Sequence, residues 1–180
     1  MKVTETKLKG CFVIEPDVFG DSRGSFFESF NQKKFEEKTG LKVTFVQDNQ
    51  SLSQKGVLRG LHFQEGSHAQ AKLVRVIKGK VLDVAVDIRP ESDTYGNTFS
   101  LILSEENNKQ LFVPRGFAHG FSVLEDDTIF VYKCDNYYNK NAESGILYND
   151  ADLEIDWMLK EDEILLSEKD RILKSFKELR

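Results

Sequence analysis

The chain has 180 residues, enough for one domain with a real core and too few for two of ordinary size. Its 30 acidic residues against 25 basic ones give a formal charge of −5, which argues against nucleic-acid binding, because phosphate backbones are held by dense basic surfaces. Met1 is followed by Lys2, Glu5 and Lys7 rather than an apolar run, and no later stretch approaches the ~20 apolar residues that span a bilayer, so a cytoplasmic protein without signal peptide or membrane span is expected.

No Gly/Ser-rich stretch or charge block separates one region from another, so residues 1–180 read as a single domain. Along the chain, residues 25–30 predict a short strand, and Asn31 can cap a short helix ending near Gly40. Further strands are expected over 43–48 and 72–77, the latter leaving through Lys78-Gly79, which suits a hairpin turn. In 81–88, Leu82, Val84, Val86 and Ile88 share one face and Val81, Asp83, Ala85 and Asp87 the other, the pattern of a half-buried strand. Residues 98–103, 109–113, 119–124 and 128–134 complete the set. Ser167 can cap a longer helix running to the C-terminus, with Ile172, Leu173 and Phe176 as its apolar stripe. The count describes an antiparallel barrel or sandwich. Cys11 and Cys134 are lone cysteines without zinc-type spacing, expected to be reduced core residues.

The three histidines are His62, His68 and His119. His62 follows Arg59-Gly60-Leu61, where a glycine lets the backbone come close to something. His119 ends Pro114-Arg115-Gly116-Phe117-Ala118-His119. In a barrel this second run invites a metal site, but the matching first half needs two histidines one residue apart and then a glutamate. Here Phe63 and Gln64 follow His62, so no metal is expected. Without one, an imidazole titrating near neutrality suits proton removal from carbon beside a carbonyl; a hydrogen-bonded structural histidine is the other reading. Arg23, Arg59, Lys72 and Arg115 are either phosphate-binding cations or solvated surface. Tyr132, on the strand face of Phe130 and Cys134, is a proton donor or simply core. Asp170, three residues after Ser167, reads locally as a helix-start partner and alternatively as a carboxylate that orients an imidazole.

Several runs occur together in order: Phe19-Gly20-Asp21-Ser22-Arg23-Gly24, Gln47-Asp48-Asn49-Gln50-Ser51, Arg59-Gly60-Leu61-His62 and Gln70-Ala71-Lys72-Leu73-Val74-Arg75-Val76. They continue through Asp83-Val84-Ala85-Val86-Asp87-Ile88-Arg89, Phe112 to Phe121, Tyr132-Lys133-Cys134 and Leu166-Ser167-Glu168-Lys169-Asp170. On these runs, over nearly its whole length, the chain resembles the dTDP-4-dehydrorhamnose 3,5-epimerases of the cupin superfamily. The resemblance implies a mainly β, cupin-type antiparallel barrel or jelly roll with a few short helices, one of them C-terminal. It implies inversion at C3 and C5 of a dTDP-linked 4-keto-6-deoxy sugar, with no cofactor and no metal. His62 matches the general base, Asp170 its paired carboxylate and Tyr132 the acid on the other face. Arg23, Glu28, Gln47, Asn49, Arg59, Lys72, His119, Glu143 and Lys169 match nucleotide-sugar-binding positions, Lys72 suiting the C4 oxygen. The resemblance also implies a homodimer in which N-terminal strands cross between subunits.

The chain departs from the family pattern at Phe63, where tyrosine is common, in Tyr138-Asn139-Lys140-Asn141, which lacks the usual proline, in Tyr148-Asn149-Asp150-Ala151, and at Met158 after Trp157. None is a proposed acid or base. Relatives that invert only C3 or only C5 share most of these motifs. A 3,4-ketoisomerase would show a different motif order, and a non-catalytic sugar-nucleotide barrel would need no acid and base together.

Overall fold

In the computed structural model, which describes residues 1–179, thirteen short strands form two facing antiparallel sheets and a separate hairpin. In chain order, β1 is Lys2–Glu5, β2 Phe12–Glu15, β3 Val18–Asp21, β4 Gly24–Phe27, β5 Gln47–Ser53 and β6 Leu58–Gln64. They are followed by β7 Lys72–Lys78, β8 Lys80–Asp87, β9 Thr98–Ser104, β10 Gln110–Val113, β11 Phe117–Val123, β12 Thr128–Cys134 and β13 Glu143–Gly145. One sheet has the order β1-β2-β10-β7-β12-β5, the other β13-β6-β11-β8-β9, while β3 and β4 pair only with each other. This is the expected jelly-roll architecture: two sheets whose inner faces make the core.

Between the sheets pack Val74, Val76, Val81, Ala85, Leu103, Leu111, Phe121 and Phe130. Two further clusters lie outside. Leu82, Val84 and Val86 of β8 point away from the partner sheet and are covered by Ile146, Leu153, Trp157 and Phe176. Helix α1, Gln32–Thr39, lays Phe35 on Phe12, Leu73 and Phe112 of the six-stranded sheet. As the sequence predicts, Asn31 caps α1 by accepting from the Lys34 amide at 3.1 Å, and Gly40 ends it at a φ of 72°.

Several expectations are corrected. The alternation in β8 does not mark a half-buried strand, because the C-terminal third of the chain covers the face that would otherwise meet water. Lys78-Gly79 does not close a hairpin: β7 and β8 belong to different sheets, and the turn carries the chain across the sandwich. Gly79 has a φ of +80°, and a Cβ there would lie 2.3 Å from Thr128 Oγ1, so glycine is required for both reasons. The strand expected over 43–48 is β5 instead, displaced toward the C-terminus. Val43 and Phe45 leave the sheet to pack with α1 and Phe30, while the polar run after them pairs with β12.

The longer helix expected from Ser167 to the C-terminus does not form. Two 3-10 turns, Asp170–Ile172 and Phe176–Leu179, stand in its place, and its last residue, Arg180, lies outside the described residues. Leu173 between them is extended, the Leu147 amide donates to the Lys174 carbonyl at 2.9 Å, and the Phe176 amide donates to Asp150 Oδ2 at 2.8 Å. These tertiary bonds take the backbone groups that a helix would have satisfied internally.

Candidate active site

The motif Arg59-Gly60-Leu61-His62 lies on β6, whose neighbours are β11 and β13. His62 is the cross-strand partner of His119, so the two imidazole-bearing runs found in the sequence are adjacent. Gly60 explains the glycine between them. A Cβ at that position would sit 2.6 Å from Gly120 Cα and 2.8 Å from the His119 carbonyl oxygen, with φ at +122°. The register between β6 and β11 shifts at this close approach, between His119 and Phe121.

His62 Nε2 lies 2.5 Å from Asp170 Oδ1, and the carboxylate side chain is only 4% exposed. Ser167 Oγ donates to Asp170 Oδ2 at 2.9 Å and accepts from the Asp170 amide at 3.2 Å. One carboxylate oxygen thus meets His62 and the other Ser167; the Ser167–Asp170 contact forms as expected, but without the helix it was expected to start. Burial pushes the Asp170 carboxyl up, but the His62 bond and charge, the Ser167 hydroxyl and Lys169 outweigh it, so the group is held below its ordinary value. An ionised carboxylate only accepts, so Nε2 carries the hydrogen and His62 Nδ1 is the nitrogen left for a ligand.

His119 is arranged similarly. Its Nε2 donates to both oxygens of the fully buried Asp83 on β8, at 3.0 and 2.9 Å. Its ring stacks against Phe130, with centroids 6.4 Å apart. Each histidine thus spends its Nε2 on a separate carboxylate.

Across the sandwich, Lys72 begins β7 and Tyr132 lies on β12, cross-strand from Asn49. Lys72 Nζ is 6.0 Å from the Tyr132 ring centroid. Burial lowers the Lys72 ammonium from its ordinary value, an effect that Cys134, Asp83 and Glu143 oppose. Burial also raises the Tyr132 phenol, with Cys134 and Glu143 adding to the rise and Arg59 opposing it. A phenol raised in this way keeps its proton at neutral pH.

These groups line two adjoining cavities between the sheets. One, of about 380 Å³, is bounded by Asn49, Ser51, Arg59, His62, Lys72, His119, Phe121, Phe130, Tyr132, Lys169 and Asp170. The other, of about 220 Å³, shares Asn49, His62, Lys72 and Tyr132 and adds Gln47, Gln64, Gln70, Tyr138 and Glu143. At its rim Glu143 pairs with Lys169 and accepts from the Tyr138 hydroxyl at 2.9 Å. Among the described residues, His62 Nδ1, His119 Nδ1, Lys72 Nζ and Tyr132 Oη have no hydrogen-bond or ion-pair partner within the protein, and the four side chains border the same cleft.

Of the residues singled out in the sequence, His62, Tyr132, Asp170, Gln47, Asn49, Arg59, Lys72, His119, Glu143 and Lys169 all border these cavities. Arg23 and Glu28 do not. Arg23 sits on the turn between β3 and β4, 88% exposed and paired with Asp21, and Glu28 pairs with Lys34 at 2.8 Å. Arg115 pairs with Asp135 elsewhere, and His68 Nε2 meets the Asn139 amide nitrogen at 3.1 Å. Sequence reasoning missed Asp83, Ser51, Gln64 and Gln70. Asp83 carried a signal, an acid on the strand face of Val81 and Ala85 where an apolar core position is expected.

The family model described as dTDP-4-dehydrorhamnose 3,5-epimerase matches residues 5–178. The chain belongs to the dTDP-4-dehydrorhamnose 3,5-epimerase family. Among curated relatives, the Shigella flexneri dTDP-4-dehydrorhamnose 3,5-epimerase is 55% identical over 170 residues, covering 94% of this chain and 93% of that protein. The crystal structure of the Elizabethkingia anophelis dTDP-4-dehydrorhamnose 3,5-epimerase superposes with a TM-score of 0.95 at 56% identity, covering 99% of this chain and 97% of that one. That of the Legionella pneumophila dTDP-6-deoxy-D-glucose-3,5-epimerase, in complex with dTDP-4-keto-L-rhamnose, does so with a TM-score of 0.95 at 48% identity, covering 99% and 94%. The fold of these relatives is the cupin-type sandwich described above, whose cleft in this chain is bordered by His62, Asp170 and His119.

Proposed function

We propose that the chain inverts C3 and C5 of dTDP-4-dehydro-6-deoxy-D-glucose, giving dTDP-4-dehydro-L-rhamnose, with His62 as base and Tyr132 as acid. The observation that carries this reading is placement. The Asp170-bonded His62 rises from one sheet and the protonated Tyr132 from the facing sheet, on opposite walls of one cleft. In a 4-keto sugar the hydrogens at C3 and C5 both flank the carbonyl, so one base can remove either. His62 Nδ1 takes the proton, and the C–H electrons move onto the C4 oxygen as an enolate. Tyr132 Oη then gives its proton to the same carbon from the opposite face, which inverts it. The phenolate and imidazolium return to their starting states by exchange with solvent, so nothing is oxidised or reduced. Lys72, lining the cleft without a carboxylate partner, suits the enolate oxygen as a hydrogen-bond donor, and a donor already fixed in place contributes on the order of 10²–10³ in rate.

Arg23 and Glu28 enter the proposal through a second copy of the chain. The β3–β4 hairpin stands apart from both sheets, with Phe19 66% and Phe26 72% exposed, and the homodimer implied by the sequence resemblance would bring it to the partner's nucleotide. Sedimentation checks the dimer.

The activity is tested by incubating the protein with dTDP-4-keto-6-deoxyglucose in deuterated water and following deuterium at C3 and C5 by NMR. Incorporation at both carbons is expected. Incorporation at one carbon reduces the reading to a single-carbon epimerase, and none at either removes the enzymatic reading.

A further inference from the structure

The run Gln47-Asp48-Asn49-Gln50-Ser51 forms most of β5, the edge strand of the six-stranded sheet, and its alternation is unusual because the inward face is polar. Gln47, Asn49, Ser51 and Ser53 are the less exposed set, whereas Asp48, Gln50 and Leu52 face outward. Gln47 and Asn49 are held by neighbours: Gln47 Nε2 donates to Asn49 Oδ1 at 3.1 Å, and Asn49 Nδ2 reaches Cys134 Sγ at 3.6 Å. Ser53 Oγ accepts weakly from Arg59 Nη2 at 3.4 Å. Ser51 alone is left out. Its Oγ is the one buried side-chain polar atom without a hydrogen-bond partner among the described residues.

A buried hydroxyl with no partner is costly and rare in folded proteins, and each instance calls for an explanation. The position supplies one. Ser51 borders the larger cavity beside Arg59, His119, Phe121 and Phe130, and is cross-strand from Phe130, two residues along β5 from the Asn49 that faces Tyr132. Two residues of strand are about 6.8 Å, a little more than the width of a hexose ring. A ring whose reacting carbons lie at Tyr132 therefore presents a substituent near Ser51. A serine hydroxyl changes position by a single χ1 rotation between staggered wells, so Oγ can adjust to a ligand without movement of the strand. We propose that Ser51 is a substrate-binding residue whose hydroxyl is unsatisfied in the free protein and is satisfied by a hydroxyl of the sugar ring in the complex.

The inference rests on the nucleotide-sugar reading of the cleft, and the test separates the two. Ser51→Ala and the unaltered chain are compared by calorimetric titration with dTDP, which lacks the sugar, and with dTDP-glucose, and by thermal unfolding without ligand. The variant is expected to bind dTDP as the parent does and dTDP-glucose about tenfold more weakly. Because the removed hydroxyl had no partner, its unliganded Tm should be equal to the parent's or up to about 4 °C higher. A structural serine would instead lower Tm and leave the ratio of the two affinities unchanged, which overturns the proposal. Equal weakening toward both ligands overturns the assignment to the sugar. If the parent itself binds neither ligand, the functional reading fails and takes this one with it; if the parent binds both and the variant matches it, only the role of Ser51 is lost.

Discussion

Replacing Asp170 by asparagine removes a charge while keeping the shape of the pair it forms with His62. The side chain is 4% exposed, its Oδ1 lies 2.5 Å from His62 Nε2, and Oδ2 accepts from Ser167 at 2.9 Å. In Asp170→Asn the amide oxygen can still accept from His62, and the amide nitrogen can turn to Ser167 Oγ, which is able to accept. What changes is the strength of the bond to the imidazolium that forms when His62 takes a proton. A hydrogen bond to a charged group contributes about 1.5–3 kcal/mol and a neutral one about 0.5–1.5, a difference of roughly 1–1.5 kcal/mol, or about five- to fifteenfold in rate. That is the floor, since an amide facing the other way would force the wrong tautomer on His62 and remove the base altogether. Solvent-deuterium exchange into the 4-keto sugar measures it, and an Asp170→Asn rate within twofold of the parent would refute the dyad. Stability gives a second readout. The native carboxyl is held below its ordinary value, so its contribution is fully present above the unfolded-state value and is lost as pH falls through the native one. The deficit of Asp170→Asn in urea unfolding should be largest near neutrality and shrink on acidification. A deficit independent of pH would contradict this.

Other perturbations probe separate parts of the argument. His62→Ala should abolish deuterium exchange, whereas Tyr132→Phe should retain some exchange and impair inversion; equal loss of exchange in the two would deny them distinct roles. Asp87 is wholly buried. Burial raises its carboxyl, but hydrogen bonds from Arg89, Ser92 and Thr94 bring it down to about 2 from an ordinary 3.8. That gap corresponds to about 2 kcal/mol of stability, present above pH 4 and lost as pH falls through 2. Asp87→Asn should lack this acid-labile component, as denaturant titrations between pH 2 and 6 will show. Gly79→Ala should destabilise the fold by several kcal/mol, because the new methyl would meet Thr128 at a φ few side chains adopt; a Tm within a degree of the parent would discount that reading of the crossing turn.

Legibility in the sequence followed the source of each signal. Strands β7, β8, β9 and β12 were visible because apolar residues alternate there, and α1 because Asn31 and Gly40 mark its ends. Strand β5 was misplaced because its inward residues line a cavity rather than the core, so that Gln47, Asn49 and Ser51 carry no apolar alternation at all. Strand β6 went unread because Arg59 and Gly60 interrupt its pattern for reasons of close packing and site chemistry. The C-terminal helix was misjudged because Ser167 and Asp170 form a helix-start pair in isolation, while in the fold Asp170 also bonds His62 and the following backbone is taken up by Leu147 and Asp150.

The sequence by itself determined the fold class, the family resemblance and the chemical inventory of the cleft, because periodicity and ordered motifs are local properties of the chain. The resemblance already implied the pairing of Asp170 with His62 and an opposed Tyr132; tertiary structure decided how those distant positions meet, and it alone revealed Asp83 and the placement of the β3–β4 hairpin. Asp170 bonds His62 across 108 positions, and Asp83 bonds His119 across 36. Tyr132 faces His62 because β12 and β6 fall in opposite sheets. Arg23 and Glu28 lie apart from the cleft because the β3–β4 hairpin leaves both sheets. Each depends on which strands become neighbours, and that is set by burying all the apolar faces at once, a global condition to which no single segment holds the answer.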